Sequence, residues 1–374
     1  MSVNEEQAKS YITKLLTAMS RAGGSDLFIS NEFPPSMKTH GTMRPMTSKK
    51  LSGEFTRQLA DSLMNQRQRD EFAKELECNF AISIPGVARF RVNVFVQQQH
   101  VGMVIRTIPA EIPDFKTLAL PEILKDIVMT NRGLVLVVGA TGSGKSTSLA
   151  AMIDHRNRSS PGHIITVEDP VEFVHRSHQS LITHREVGID THSWHHALKN
   201  TLRQAPDVIL IGEIRDAETM EHAVAFAETG HLCLGTLHAN SANQTIDRII
   251  NFFPDERRKQ LLMDLSGNLK AIVSQRLIRT VDGKGRKAAM EILINTPIIA
   301  EKILKGEFHE IKAIMGKSRE LGMRTFDWSL FELYNDGDIS YDEAIRNADS
   351  ANELRLNIKL NGTRETPALA VIAS

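Results

Sequence analysis

The run Gly139-Ala140-Thr141-Gly142-Ser143-Gly144-Lys145-Ser146 has the spacing G-x-x-x-x-G-K-S, and those residue types in that order suit one task, the holding of a polyphosphate. The glycines let successive backbone N–H groups turn inward and approach phosphate oxygens with no Cβ between. A helix starting at the end of the run adds partial positive charge where the phosphate would lie. Lys145 supplies a point charge for the β- and γ-phosphates. The Ser146 hydroxyl is a hard oxygen ligand for Mg2+, and Thr147 after it belongs with the loop residues that bind the nucleotide. An ordinary glycine turn into a helix is the plain alternative. Two acidic clusters downstream favour phosphate chemistry: Thr166-Val167-Glu168-Asp169-Pro170-Val171-Glu172, and Ile211-Gly212-Glu213. Hydrolysis needs a carboxylate to accept a hydrogen bond from the attacking water and others to hold Mg2+ through its waters. Any one of these acids alone could equally be capping a helix.

The elements that must position these groups are legible from hydrophobic period. Gly133–Val138 is an unbroken apolar run, read as a buried strand, and Leu149, Met152 and Ile153 share one face of a helix that follows the loop. From Leu118 onward, strands expected at 133–138, 163–168, 207–211 and 231–237 alternate with helices at 145–156, 193–203, 216–229, 241–251 and 255–275. That alternation implies a mostly parallel sheet, which gathers the loop and both acidic clusters at its carboxyl edge. A hairpin over 276–294 and short helices over 297–348 complete this part.

Upstream, a helix over 5–22, a strand at 26–30, a helix over 54–76 and strands at 79–84, 88–96 and 101–108 make a small α+β domain. Along Ala88–Phe95 strict alternation sets Arg89, Arg91 and Asn93 on one face and Phe90, Val92 and Val94 on the other, with Arg106 on the next strand. Three such arginines are either a solvated face or an anion site. The expected domains are 1–110 and 118–349, joined by a proline-bearing linker at 111–117, with a poorly ordered tail at 350–374.

Lys+Arg and Asp+Glu both number 45, so no global field draws nucleic acid or an anionic membrane. Cys78 and Cys233 are isolated, which supports neither a disulfide framework nor a Cys-rich zinc site. An acidic N-terminus and the lack of a long apolar run make a cytoplasmic protein the plain expectation. Histidines are dense from His175 to His196. His192 and His196 stand at i,i+4, but no Glu follows His192, so they read as a solvated helix face. His231 and His238 flank a buried strand, Leu232–Leu237, at its two ends, with His238 at the carboxyl edge that faces the phosphate loop.

The order of phosphate loop, TVEDPVEFVH (166–175), DVILIGEIRD (207–216) and AETGHLCLGTLHANSA (227–242) resembles the Walker A, Asp-box, Walker B and His-box signatures of the secretion ATPase superfamily. The resemblance extends upstream through GGSDLFIS (23–30) and PGVARFRVNVFVQQQHVGMVIRTIP (85–109), and covers the chain to about residue 348. Within the superfamily it is similar to the type IV pilus retraction branch, PilT/PilU-like. The extension and secretion motors carry a further N-terminal domain and a paired C-x-x-C zinc site, neither of which is seen here.

The resemblance implies a PAS-like N-terminal domain and a RecA-like ATPase domain, six of which form a ring that closes on ATP. It assigns ATP and Mg2+ as cofactors, with no zinc. Glu172 and Glu213 match the catalytic carboxylates, and Glu168 and Asp169 join Ser146 around the metal. His231 and His238 match residues that sense nucleotide or join subunits. Arg89, Arg91 and Arg106 match arginines that approach the triphosphate. The implied partners are a PilT-like paralogue and the PilC-like inner-membrane platform protein, with nucleic acid excluded and the membrane met only through partners. Three departures favour the PilU-like pattern: Ala300 stands where an A-I-R motif has its arginine, Ala205 where an acidic residue is usual, and Phe28 where a histidine is usual. Either a force-generating motor or a regulatory ATP-binding subunit remains compatible with these residues.

Overall fold

The computed structural model describes residues 5–39, 42–108 and 111–364. The chain divides into two compact units, Met1–Glu111 and Ile112–Ser374.

In the first unit α1 (Glu5–Arg21) precedes β1 (Asp26–Ile29), β2 (Ser36–Thr39), β3 (Thr42–Pro45), α2 (Gly53–Leu63), α3 (Gln66–Glu75), β4 (Glu77–Ile84), β5 (Ala88–Gln97) and β6 (His100–Ile108). The sheet has six strands in the order β3-β2-β1-β6-β5-β4, all antiparallel. Ile12, Leu16 and Met19 of α1 pack with Phe90, Val92 and Val94, which are buried as their alternation requires. The helix expected over 54–76 is two helices. Asn65 breaks it by accepting from the Gln68 N–H, while the Gln68 side chain accepts from the Asn65 N–H, a reciprocal cap that starts α3 afresh.

The second unit runs α4 (Ile123–Val128), β7 (Gly133–Val138), α5 (Lys145–Ser159), β8 (Gly162–Glu168), β9 (Ser180–Glu186), α6 (Trp194–Thr201), β10 (Val208–Ile211), α7 (Ala217–Glu228) and β11 (Leu232–Leu237). It continues through α8 (Ala242–Asn251), α9 (Asp255–Asn268), β12 (Leu269–Arg279), β13 (Arg286–Ile294), α10 (Pro297–Lys305), α11 (Ile311–Lys317), α12 (Phe326–Asn335), α13 (Tyr341–Asn347) and α14 (Ala351–Asn361). The sheet has seven strands in the order β13-β12-β7-β11-β10-β8-β9. Every pairing is parallel except β12 with β13. This is the mixed α/β class with a mostly parallel sheet that the alternation implied. Helices cover both faces, one core gathering around Leu136, Ile209 and Phe226 and the other around Val135, Met152 and Leu210.

Three expectations change here. The helix expected to run to 275 stops at Asn268. The chain then enters β12 because Ala271, Ile272 and Val273 are needed beside β7, where all three are buried. β9 and the β2–β3 hairpin were not anticipated, since their strands carry polar residues in place of an apolar run. The tail expected at 350–374 begins as an ordered helix: Ser350 accepts from the Glu353 N–H, and Leu354 and Ile358 of α14 are buried against Phe326 and Leu330. Residues 365–374 of that tail, and Pro109 and Ala110 beside the expected linker, lie outside the described residues.

Leu354→Ala is expected to lower stability by roughly 2–5 kcal/mol, the cost of an unfilled cavity at a fully buried leucine. Denaturant unfolding of the full chain measures it, and a change under ~0.5 kcal/mol would mean that α14 does not pack as described.

Candidate nucleotide site

β7 is buried along its whole length, and the loop leaves its carboxyl end to enter α5 at Lys145. Gly144 lies in the left-handed region at φ 87°, and a Cβ there would stand 2.7 Å from Nε2 of Gln275. A Cβ on Gly139 would meet the Gln275 carbonyl oxygen at 2.5 Å. Gln275, buried on β12, thus backs the loop from behind. Its Nε2 donates to the Ser143 carbonyl at 2.9 Å, and its Oε1 accepts from the Ser148 hydroxyl at 2.8 Å. The Ser143 N–H closes the loop on the Ala140 carbonyl at 3.2 Å, while the glycine-rich turn that Gln275 braces is of the kind that offers backbone N–H groups to an anion. Lys145 lies across the loop, its Nζ donating to the carbonyls of Gly139 at 2.7 Å and Ala140 at 3.0 Å. The Ser143 hydroxyl is buried with no hydrogen-bond partner among the described residues. An orphaned donor inside a glycine cradle, beside a lysine, fits a phosphate group. Thr141, Gly142 and Ser146 are exposed at the loop's mouth, with Thr147 half-buried beside them.

Glu213 follows β10, and Arg215, His238 and Lys145 converge on it. Arg215 donates to its Oε2 at 2.6 Å, His238 Nε2 lies 3.1 Å from its Oε1, and the charge of Lys145 reaches it from the loop. Burial acts to raise this carboxyl, but Arg215, then His238 and Lys145, outweigh it and hold the group below the usual glutamate range. Burial in turn lowers the Lys145 ammonium, opposed by Glu213. The phosphate-loop lysine, the β10 carboxylate and His238 therefore form one electrostatic unit. Arg215 was not singled out in the sequence. It also feels the charge of Asp169, which links the two acidic clusters.

The first cluster separates by role. Glu172 and Asp169 are exposed on the loop after β8. Glu168, expected among the metal ligands, is buried and taken up as scaffolding: its Oε2 accepts from the Glu172 N–H at 3.4 Å, and Glu186 Oε2 accepts from the Val171 N–H at 3.2 Å. Burial pushes the Glu168 carboxyl up to about 7. Behind it, His184 Nε2 accepts from the His175 N–H at 3.0 Å, so its proton sits on Nδ1 and is donated to the Thr166 hydroxyl at 2.9 Å. Burial, then His184, depress the His175 imidazole to about 4.

Other expected residues fall elsewhere. β11 runs in register with β7 from Leu232 opposite Gly133 to Leu237 opposite Val138. His238 therefore reaches the loop edge, while His231 lies at the far edge, roughly 20 Å away along the strand. There His231 Nδ1 is within 3.2 Å of the Thr229 hydroxyl, and its carbonyl accepts from the Gly133 N–H. His231 does not serve the loop of its own chain. Arg89, Arg91 and Arg106 belong to the first unit. Arg91 and Arg106 are cross-strand partners, and Arg106 Nε donates to the buried Asp26 at 2.8 Å.

The family profile described as Type II/IV secretion system protein matches residues 2–316. The chain belongs to that family. It is 58% identical to the type IV pilus ATPase PilU of Pseudomonas aeruginosa over 96% of its own length and 94% of that protein. It is 43% identical to the type IV pilus retraction ATPase PilT of the same organism, over 89% of this chain and 96% of that one. Among solved structures, the pilus retraction motor PilT with bound ADP is similar at a TM-score of 0.86 and 37% identity, covering 93% of this chain and 98% of that chain.

The Glu168 environment has a measurable sign. Because its folded-state value lies above the ordinary 4.5, its contribution to stability is fully present below pH ~4.5 and is lost as pH rises through about 7. Glu168→Gln cannot ionise, so relative to the parent it should gain up to ~3 kcal/mol between pH 5 and pH 8.5. Denaturant midpoints at the two pH values test this; equal differences at both would place the Glu168 carboxyl in solvent.

Proposed function

We propose that this chain is a type IV pilus ATPase that acts in pilus retraction and twitching motility, hydrolysing ATP to ADP and phosphate to do mechanical work. The observation that carries the reading is Glu213, kept ionised at the end of β10 within the field of Lys145. An ionised carboxylate beside the lysine of a phosphate loop is placed to accept a hydrogen bond from the attacking water. Lys145 and the loop N–H groups take the phosphate charge. The Ser146 hydroxyl, with Asp169 acting through water, would hold Mg2+, which supplies charge neutralisation on the β- and γ-phosphates. Glu172, exposed on the adjacent loop, is the second candidate for orienting water. Arg89, Arg91 and Arg106 carry a phosphate-directed role in this reading.

The similarity to PilU and PilT supports a homohexamer that works at the cytoplasmic face of the inner membrane, on a PilC-like platform protein. No helix among the described residues is long and apolar enough to cross a membrane. Ala300 on α10 favours dependence on a PilT-like principal motor. An arginine there could donate to a neighbouring subunit, and alanine cannot. A regulatory subunit that uses ATP mainly to set conformation is the second reading.

Lys145→Ala should abolish productive ATP binding, whereas Glu213→Ala should retain binding and lose turnover by about 10²–10⁴-fold. Equilibrium nucleotide binding and steady-state phosphate release separate the two, and parental turnover in Glu213→Ala would overturn the hydrolytic assignment. In cells, the protein should retract pili only when the principal motor is present, and should still assist a principal motor disabled in its own phosphate loop. Pilus-length imaging in a strain with this protein alone is the check, since normal retraction there would make it autonomous.

A further inference from the structure

Away from the nucleotide site, α6 and α7 lie side by side, their inner faces joined through Ala197, Leu198, Met220 and Ala223 in the core. On the outer rim of that packing His195 of α6 meets Glu218 and His222 of α7. Nδ1 of His195 is hydrogen-bonded to Glu218 Oε1, and one ligand atom from each of the three residues lies within 4.8 Å of the others. Glu218 and His222 are i,i+4, so they project from the same face of α7. The rings of His195 and His222 stand 6.3 Å apart, and that of His196 is 6.0 Å from His195.

We propose that His195, Glu218 and His222 form a site for a zinc-like divalent transition cation, with water completing the coordination. Two imidazoles and one carboxylate are the donor set of open zinc sites, and ligand atoms around such an ion need only draw in to ~3.3 Å from one another, within reach of side-chain rotation. Mg2+ and Ca2+ prefer oxygen and are poorly served by it. The site is absent from any single stretch of sequence because its ligands come from two helices, and the cysteine pattern that argued against zinc says nothing about it. Its position gives the cation a defined effect. β10 and Glu213 lie between α6 and α7 in the chain, so one ion would tie together the two segments that enter and leave the strand carrying the β10 carboxylate.

The test uses the untagged full-length protein, freed of nucleotide and metal by chelation and dialysis, titrated calorimetrically with zinc chloride and measured by elemental analysis. One zinc per chain is expected, with a rise in the thermal midpoint. His195→Ala and His222→Ala should each weaken binding by at least the ~10–100-fold lost with an outer ligand partner, and abolish the thermal shift. Glu218→Gln, which preserves the shape of the side chain, should do the same and guards against misfolding of the alanine variants. His309→Ala, on an exposed histidine outside the trio, should bind as the parent does. Failure of the folded parent to take up stoichiometric zinc, or unchanged binding in the His195 and His222 variants, would overturn the proposal. So would loss of binding in His309→Ala.

Discussion

The carboxamide of Gln275 donates to the Ser143 carbonyl and accepts from the Ser148 hydroxyl, and the phosphate loop keeps its shape against that brace. A loop that offers N–H groups to an anion must turn its carbonyls elsewhere, and a buried carbonyl without a donor costs about 1–3 kcal/mol. Gln275 meets that need from β12, the strand paired in parallel with β7, which delivers the loop. The fit leaves no space at Gly139 or Gly144 for even a methyl group. The site therefore depends on a strand more than a hundred residues downstream, and on the β12–β13 hairpin that fixes it.

Carboxylates of the two acidic clusters are driven in opposite directions by their surroundings. Glu213 is half-buried among Arg215, His238 and Lys145 and is held below the usual glutamate range, while burial, with the neighbouring acids Glu172 and Glu186 adding to it, pushes Glu168 up to about 7. Divergent environments of this kind separate a group that can act on water from one that shapes a loop. Glu168 and Glu186 together hold the backbone at Glu172 and Val171, so the exposed acids after β8 rest on buried ones.

Local chemistry was readable where it depends on neighbours in sequence. The phosphate loop, the buried strands around it and the alternation in β5 each announce themselves within ten residues. Gln275, Glu186 and Arg215 were not readable, because a glutamine in an apolar strand or an arginine in a turn acquires its role only from what another strand brings to it. β9 went unseen for a similar reason: an edge strand paired on one side tolerates Thr183, His184 and Arg185, so its pattern lacks the apolar run of a central strand. The extension of α9 to 275 followed from a helix-compatible composition that sheet pairing overrode. His231 and His238 flank one strand, and because a parallel sheet has a carboxyl edge and a back edge, sequence order alone already separates them: His238 belongs beside the loop and His231 behind it, as the register of β11 with β7 has them.

The segment Gly212–Arg215 is fastened from both sides of the sheet. The Gly212 N–H donates to the Val167 carbonyl of β8, and the Ile214 N–H donates to the Thr236 carbonyl of β11, both at 2.8 Å. The Thr236 hydroxyl returns a bond to the Gly212 carbonyl. Glu213 is thus strapped to the strands on either side of its own, one leading to the Asp169–Glu172 loop and the other to His238. Shifting the backbone at Glu213 would strain hydrogen bonds on both flanks, and its carboxylate is held in turn by Arg215 at Oε2 and His238 at Oε1. Glu213 is therefore the point at which both flanking strands, an exposed arginine and a half-exposed histidine meet the field of the loop lysine.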